Sequence, residues 1–522
     1  MKLHHGIPLL LSALALGACS DTTNYNFRNS VETAQAQFDA QLAMLEPVPD
    51  STTPEATFDP AAGDLPFPNT LLFSGSEDGT LNIPLGDGVA EDDFGDPSVA
   101  LNTLDGFSTT EAITATFGNN IDPATVVLGQ SVFVYEVTVE GGLVTGIVEE
   151  LSSDIVLATV SGGSTLAIVP LVPLKESTYY MVIATSDVLG TDGVASSRSS
   201  TFGLVAGDIP LTGELVAPLE PVRRAINSMI DAAVDSGVEE AGIVQAWTTL
   251  TQSITPVMEA VKNASQLGGA ITMAPTGATT AAFNPALPGI ADVYIGTLDV
   301  PYYLTRPANR NDVSGISGFW RGQGGSFLTR SNPTPVANSI ETIPVLMSVP
   351  NANSGQLQPA SGWPVVIFVH GVTADRTNML AIADSMAQAG FAVIAIDQVL
   401  HGLTADTDPP NPLLASNTLF PTDSERTFGI DLANNSTGEQ GPDGIADTSG
   451  THYYSPARLL SSRDNLRQSA ADLLVLSASI GNITAVSLDA NRKALIGHSL
   501  GGATATVYAC LLYTSPSPRD RG

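Results

Sequence analysis

The sequence is poor in cysteine, in lysine and in charge altogether. Two cysteines, Cys19 and Cys510, stand among 522 residues. That excludes a disulfide framework, so packing must hold the fold. Lysine and arginine number 20 against 53 aspartates and glutamates, for a net charge of −33. The only lysines are Lys2, Lys175, Lys262 and Lys493. A basic face for phosphate backbones cannot be built from this set, which excludes nucleic acid as a partner. Charged residues make up 14% of the chain, against about 25% in an average soluble protein. No run reaches the roughly 18 consecutive apolar residues that a membrane-spanning helix needs.

What is present is apolar and β-rich. The hydrophobic share is 43% and the mean hydropathy +0.17, enough for a large core. The length suggests two to four domains of about 150 residues each. Residues 1–18 read as a signal peptide, with Lys2 ahead of a short apolar stretch from Ile7 to Leu16. The string Leu16-Gly17-Ala18-Cys19 resembles a bacterial lipobox, with Cys19 as the lipidated residue and Ser20 suiting outer-membrane sorting. Location at the outer membrane or cell surface through that lipid follows, with plain secretion as the alternative. Residues 19–56 read as a tether.

Between residues 57 and 205, short β-rich runs alternate with Gly, Asp and Asn turns, as in an antiparallel sandwich. Ile121-Asp122-Pro123-Ala124-Thr125 and Pro173-Leu174-Lys175-Glu176-Ser177-Thr178 resemble bacterial immunoglobulin-like modules. Residues 206–290 read as a helical connector. Ile226, Met229, Ile230 and Ala233 share one helical face, and a second helix is expected from Val238 to Thr251.

The chemistry concentrates in residues 291–509. Pro364–Val369 is a continuous apolar run, as in a strand buried on both faces, and it ends in His370-Gly371-Val372. A helix follows with Met379, Ile382, Ala383 and Met386 inward, then a strand over Phe391–Ile396. Another helix is expected near Arg463–Ser479 with Leu466, Ala470, Leu473 and Leu474 inward. Ala494-Leu495-Ile496 then leads into Gly497-His498-Ser499-Leu500-Gly501 and a helix of small residues. The alternation predicts a mostly parallel α/β sheet, and with the motif that closes it the reading is an incomplete α/β-hydrolase fold. Strand, G-x-S-x-G, helix is the setting of a nucleophile elbow, with Ser499 as nucleophile. Gly497 and Gly501 allow the tight turn. The N–H groups of Val372 and Leu500 are the expected oxyanion donors, with His370 and Gly371 shaping the loop. His370 reads as structural, His401 as structural or substrate-lining, and His498 as pointing away from Ser499. His452 has no assigned role. Gly441-Pro442-Asp443-Gly444-Ile445-Ala446-Asp447 resembles part of a calcium loop, so calcium near Asp443 and Asp447 stands as an alternative to a solvated turn. No other cofactor is expected.

Several longer strings resemble the bacterial virulence-factor lipases, extracellular lipoprotein lipases or lysophospholipases with an N-terminal domain of their own. They are Leu65–Phe73, Leu101–Thr110, Arg376–Ala381, Gly441–Gly444, Ser462–Gln468 and Gly497–Gly502. The resemblance implies an α/β-hydrolase acting on lipid acyl esters through a serine acyl-enzyme. In that family an acid and then a histidine follow the nucleophile. No histidine follows Ser499, and the one acid is Asp520. The string 510–522 resembles a translated sequencing adapter, so the natural sequence is expected to run on beyond Ala509, with both partners there. The fragment itself is then expected to be nearly inactive. Other readings are an esterase or acyltransferase for a different substrate, or a surface binding lipoprotein with a non-catalytic hydrolase domain.

Overall fold

A computed structural model describes residues 53–211, 216–404, 411–418 and 425–512. The signal peptide, Cys19, nearly all of the tether and residues 513–522 lie outside the described residues. The chain divides into two compact units. The first takes the residues up to Asn69 together with Ser108–Leu250; the second takes Thr70–Phe107 and everything from Thr251 onward.

The first unit is built from antiparallel sheets. Its strands are β1 (Glu55–Ala56), β2 (Ile113–Thr116), β3 (Val132–Glu140), β4 (Leu143–Glu150), β5 (Val156–Ser161), β6 (Thr165–Pro170), β7 (Tyr179–Thr185), β8 (Ser197–Arg198) and β9 (Ile243–Leu250). One sheet runs β4-β3-β7-β9 and another β2-β6-β5, while β1 pairs in parallel with β8. Alternate residues of the two larger sheets share one core, in which Ile113, Leu166 and Ile168 meet Val132, Val134, Val182 and Trp247. Helix α1 (Glu220–Asp235) buries Ile226, Met229, Ile230 and Ala233, the face expected from the spacing. Its Ser228 hydroxyl accepts from Val144 N at 3.0 Å, so α1 belongs to this unit's sheet rather than to a connector.

The second helix expected at Val238–Thr251 is instead β9. Every residue from Ile243 to Leu250 is buried, so no amphipathic period exists to be read. The β-branched and aromatic side chains of Ile-Val-Gln-Ala-Trp-Thr-Thr-Leu favour a strand pleated between two covered faces.

The second unit holds one six-stranded sheet, from β10 (Ile271–Thr279), β11 (Ala291–Tyr302), β12 (Ser339–Pro350), β13 (Trp363–Val369), β14 (Ala392–Ile396) and β15 (Leu488–Gly497). Its order is β10-β11-β12-β14-β13-β15. The expectation of a mostly parallel sheet needs correction. The pairings β10·β11, β11·β12 and β12·β14 are antiparallel; β14, β13 and β15 are mutually parallel. Parallel neighbours need covering crossovers, and among the described residues α3 (Leu380–Gln388) and α4 (Leu459–Ser479) supply them, while α2 (Pro256–Ala264) precedes the sheet. The last helix among the described residues, α5 (Leu500–Leu512), continues through Cys510, Leu511 and Leu512.

The apolar run of β13 is buried on both faces. Val365, Ile367 and Val369 enter the core under α4 and α5, while Val366 and Phe368 enter the core under α3. Helix α4 departs from its expected pattern. Ala470, Leu473 and Leu474 are buried as read, but so is a polar stripe of Asp464, Gln468 and Asp472. Gln468 Oε1 accepts from Tyr303 N at 3.0 Å and its amide donates to Pro301 O at 2.9 Å. Asp464 accepts from Trp320 N at 2.8 Å, and Asp472 pairs with Arg426. The stripe thus satisfies backbone groups where β11 ends, which an apolar face would leave unpaired.

Candidate functional site

The site begins where β15 meets α5. Ser499 stands between them with φ of +53°, the left-handed region that a non-glycine residue enters only under constraint. The constraint is packing. A Cβ at Gly497 would lie 2.6 Å from the Gly501 carbonyl carbon, and one at Gly501 would lie 2.6 Å from His370 O. The two flanking positions therefore admit no side chain. His498 N donates to Val369 O at 3.0 Å and so ties the turn to the end of β13. Ser499 is left exposed.

The loop leaving β13 runs beside that serine. A Cβ at Gly371 would stand 3.2 Å from Ser499 Cβ and 2.9 Å from His498 Nδ1. Among the described residues, the N–H groups of Val372 and Leu500 have no hydrogen-bond partner, while Gly501 N and Gly502 N turn back to His498 O and Ser499 O. The geometry brings together Ser499, Gly371 and the adjacent backbone. Among the described residues, no imidazole or carboxylate hydrogen-bonds the Ser499 hydroxyl.

The histidines are engaged elsewhere. His370 is fully buried; its Nδ1 bonds Gly371 O at 2.8 Å and its Nε2 accepts from Gln398 N at 3.0 Å. That network assigns the proton to Nδ1 and leaves neither nitrogen for a base. Gln398, which sequence reasoning missed, clamps the region: its amide donates to His370 O at 2.7 Å and its Oε1 accepts from Thr504 on α5 at 2.6 Å. It joins the two elements that carry the unpartnered N–H groups. Only its place after the strand-ending Asp397 could have signalled this.

His401 is also fully buried, with Nδ1 donating to Val399 O at 2.9 Å and Nε2 unpartnered. Its ring lies 5.1 Å from Tyr453 and 5.0 Å from His370. Burial first, and the neighbouring His370 second, push its pKa down to about 4. The folded state thus resists a proton that the unfolded state accepts near pH 6.5. Stability from this group is intact above about pH 6.5 and is lost as pH falls toward about 4, by about 3 kcal/mol in all. Urea midpoints measured across that window should show a steeper acid decline in the wild type than in His401→Gln. Equal slopes would contradict the assignment.

A further buried cluster fixes the insertion after β14. Arg376 donates to Glu425 Oε2 at 2.6 Å and Oε1 at 2.9 Å, to Leu413 O at 2.7 Å, and to Asp397. Arg376 N also donates to Asp397 Oδ1 at 2.6 Å. Burial and the Asp397 charge raise the pKa of Glu425 despite its arginine partner.

The calcium alternative meets a different use of its carboxylates. Asp443 accepts from Asn435 N at 2.8 Å and Ile445 N at 2.9 Å. Asp447 accepts from Leu432 N at 2.7 Å and Ala433 N at 3.2 Å, and pairs with His452 Nε2 at 2.6 Å. These oxygens close backbone turns. Among the described residues, no group of three or more His, Cys, Asp or Glu is positioned to hold a metal ion.

Comparison with known proteins agrees with the two halves of the chain. Residues 53–281 match the family described as bacterial virulence factor lipase N-terminal. Residues 334–401, from β12 through His401, match platelet-activating factor acetylhydrolase, isoform II. Among curated proteins nothing matches. Among solved structures, acetyl xylan esterase from Paenibacillus sp. R4 is similar at 18% identity with a TM-score of 0.23, over 50% of this chain and 57% of that one.

Proposed function

We propose that this chain, whose residues 53–281 match a bacterial virulence factor lipase N-terminal family and whose residues 334–401 match platelet-activating factor acetylhydrolase, isoform II, is a carboxylic ester hydrolase whose substrates are lipid acyl esters and whose nucleophile is Ser499. The observation that carries the proposal is the strained turn: a positive φ at Ser499, enforced by glycines on either side, lifts the hydroxyl clear of the sheet. In this reading Ser499 Oγ attacks the ester carbonyl. The N–H groups of Val372 and Leu500 receive the oxyanion, the alcohol leaves, and water then releases the fatty acid. The nucleophile needs a base to take its proton. Among the described residues no imidazole or carboxylate hydrogen-bonds that hydroxyl. The two antiparallel sheets of the first unit, sharing one core, support its reading as an immunoglobulin-like scaffold. The lipobox-like string supports a lipid anchor on Cys19 at the outer membrane or cell surface.

One experiment tests these points together. A cell-impermeant fluorophosphonate is applied to intact cells carrying the complete gene. A labelled band of this protein is expected, absent in Ser499→Ala and released from the cells in Cys19→Ala. No band, or a band unchanged in Ser499→Ala, overturns the serine mechanism. A band that stays with the cells in Cys19→Ala overturns the anchor.

A further inference from the structure

In a chain so short of bases, several arginines of the second unit converge on a single carboxylate. Asp464, fully buried on α4, pairs with Arg463 at 2.8 Å and with Arg467 at 3.1 Å. Arg321 lies close enough to Arg463 to feel its charge, and burial together with that charge lowers the Arg321 pKa. The next carboxylate, Asp105, is already paired with Arg330 at 3.2 Å. Among the described residues, Arg321 has no carboxylate within ion-pair distance. Arg463, Arg467 and Arg321 thus stand around one carboxylate, and Arg321 is the one that does not reach it.

Arg321 is held in an aromatic cage. Its guanidinium carbon lies 4.0 Å from the Phe319 ring centre, 4.5 Å from Phe327 and 5.0 Å from Phe94. Such contacts attract the guanidinium to the ring faces and help hold it in place. Its edge is nearly free: of five N–H donors, one makes a long bond, to Gly325 O at 3.4 Å. Arg321 lines a cavity of about 400 Å³, with Thr305, Ser317, Gly324, Gly325 and Asn338. That volume suits a small-molecule site. At Gly324 and Gly325 a Cβ would meet nothing within 4 Å, so the glycines leave the backbone there open to a ligand.

We propose that this cavity binds a phosphate ester, with Arg321 as the anchoring donor. A phosphate ester carries one to two negative charges at neutral pH, and its oxygens suit the guanidinium edge of Arg321. The hydroxyls of Thr305 and Ser317 suit the alcohol part. The ligand is either a soluble phosphate ester or the head group of an anionic lipid. This site is not the ester-cleaving serine, and its readout is binding, so its failure leaves the hydrolase reading intact.

The test is titration calorimetry of the full chain with inorganic phosphate and with glycerol 3-phosphate, and flotation with phosphatidylglycerol or phosphatidylcholine vesicles. Binding to a soluble anion, weakened at least tenfold in Arg321→Gln, identifies a soluble ester. Binding to phosphatidylglycerol vesicles alone, lost in Arg321→Gln, identifies a lipid head group. Should that variant fail to fold, wild-type protein answers: phosphate or anionic vesicles should slow phenylglyoxal modification of Arg321 several-fold and leave exposed Arg492 unchanged. No binding to any probe at millimolar concentration, binding unaltered in Arg321→Gln, or no protection of Arg321 overturns the proposal.

Discussion

Arg376→Met is expected to cost the second unit about 3–5 kcal/mol, the usual penalty for breaking a buried ion cluster by removing one partner. Arg376 is 2% exposed and is the cation shared by Asp397 and Glu425, both also buried. Methionine fills much the same space, so the loss reports on charge and hydrogen bonds more than on packing. It strands Leu413 O as well, because Arg376 donates to that carbonyl at 2.7 Å. Glu425 holds Ala415 N at 2.6 Å, so the insertion should loosen with it. Two stranded carboxylates relieve themselves by binding protons, so the deficit should shrink as pH falls from about 7 toward about 5. Urea unfolding of both proteins at the two pH values measures this, and Arg376→Met/Glu425→Gln should recover part of the loss. A cost below about 1 kcal/mol would mean that the cluster is not what secures the insertion.

Gly501→Ala should abolish most labelling of Ser499, while Gly502→Ala should leave it intact. At Gly501 the new methyl would fall on the Val369 and His370 carbonyls, backbone atoms that cannot step aside. Either the first turn of α5 or the end of β13 must move. A shift of about 1 Å at a reacting group costs about 10²-fold in rate, and the crowding itself should cost about 1–3 kcal/mol. At Gly502 the nearest atom to an added methyl is Gly497 O at 3.8 Å. Alanine there meets no obstacle and should stabilise the helix by up to about 1 kcal/mol. Labelling rates with a fluorophosphonate on the complete gene product make the comparison. Equal behaviour of the two variants would remove the steric account of the elbow.

Much of the second unit was legible because its signals are local. The β13 run is apolar at every position since both of its faces are covered. The glycines around Ser499 announce a turn that no side chain can enter. In the first unit, the face of α1 came from simple 3.6-residue spacing. Periodicity failed at β9, where burial is complete, and on α4, where a polar stripe is buried beside the apolar one. The antiparallel half of the sheet was missed because strand direction depends on which strands pair, and β12 pairs with β14 rather than with β13.

By itself the sequence determined the location of the tight turn around Ser499, the loop at His370-Gly371 and the short supply of bases, since each depends on residue type and spacing alone. Only the tertiary structure decided what the buried polar groups do. Asp443 and Asp447 close turns, His370 and Gln398 clamp a loop to a helix, Arg376 joins strand ends to the insertion, and Arg321 stands in its cage without a carboxylate. A buried charge is stable only beside its partners, and those partners lie dozens to hundreds of residues away in the chain, where no local pattern records them.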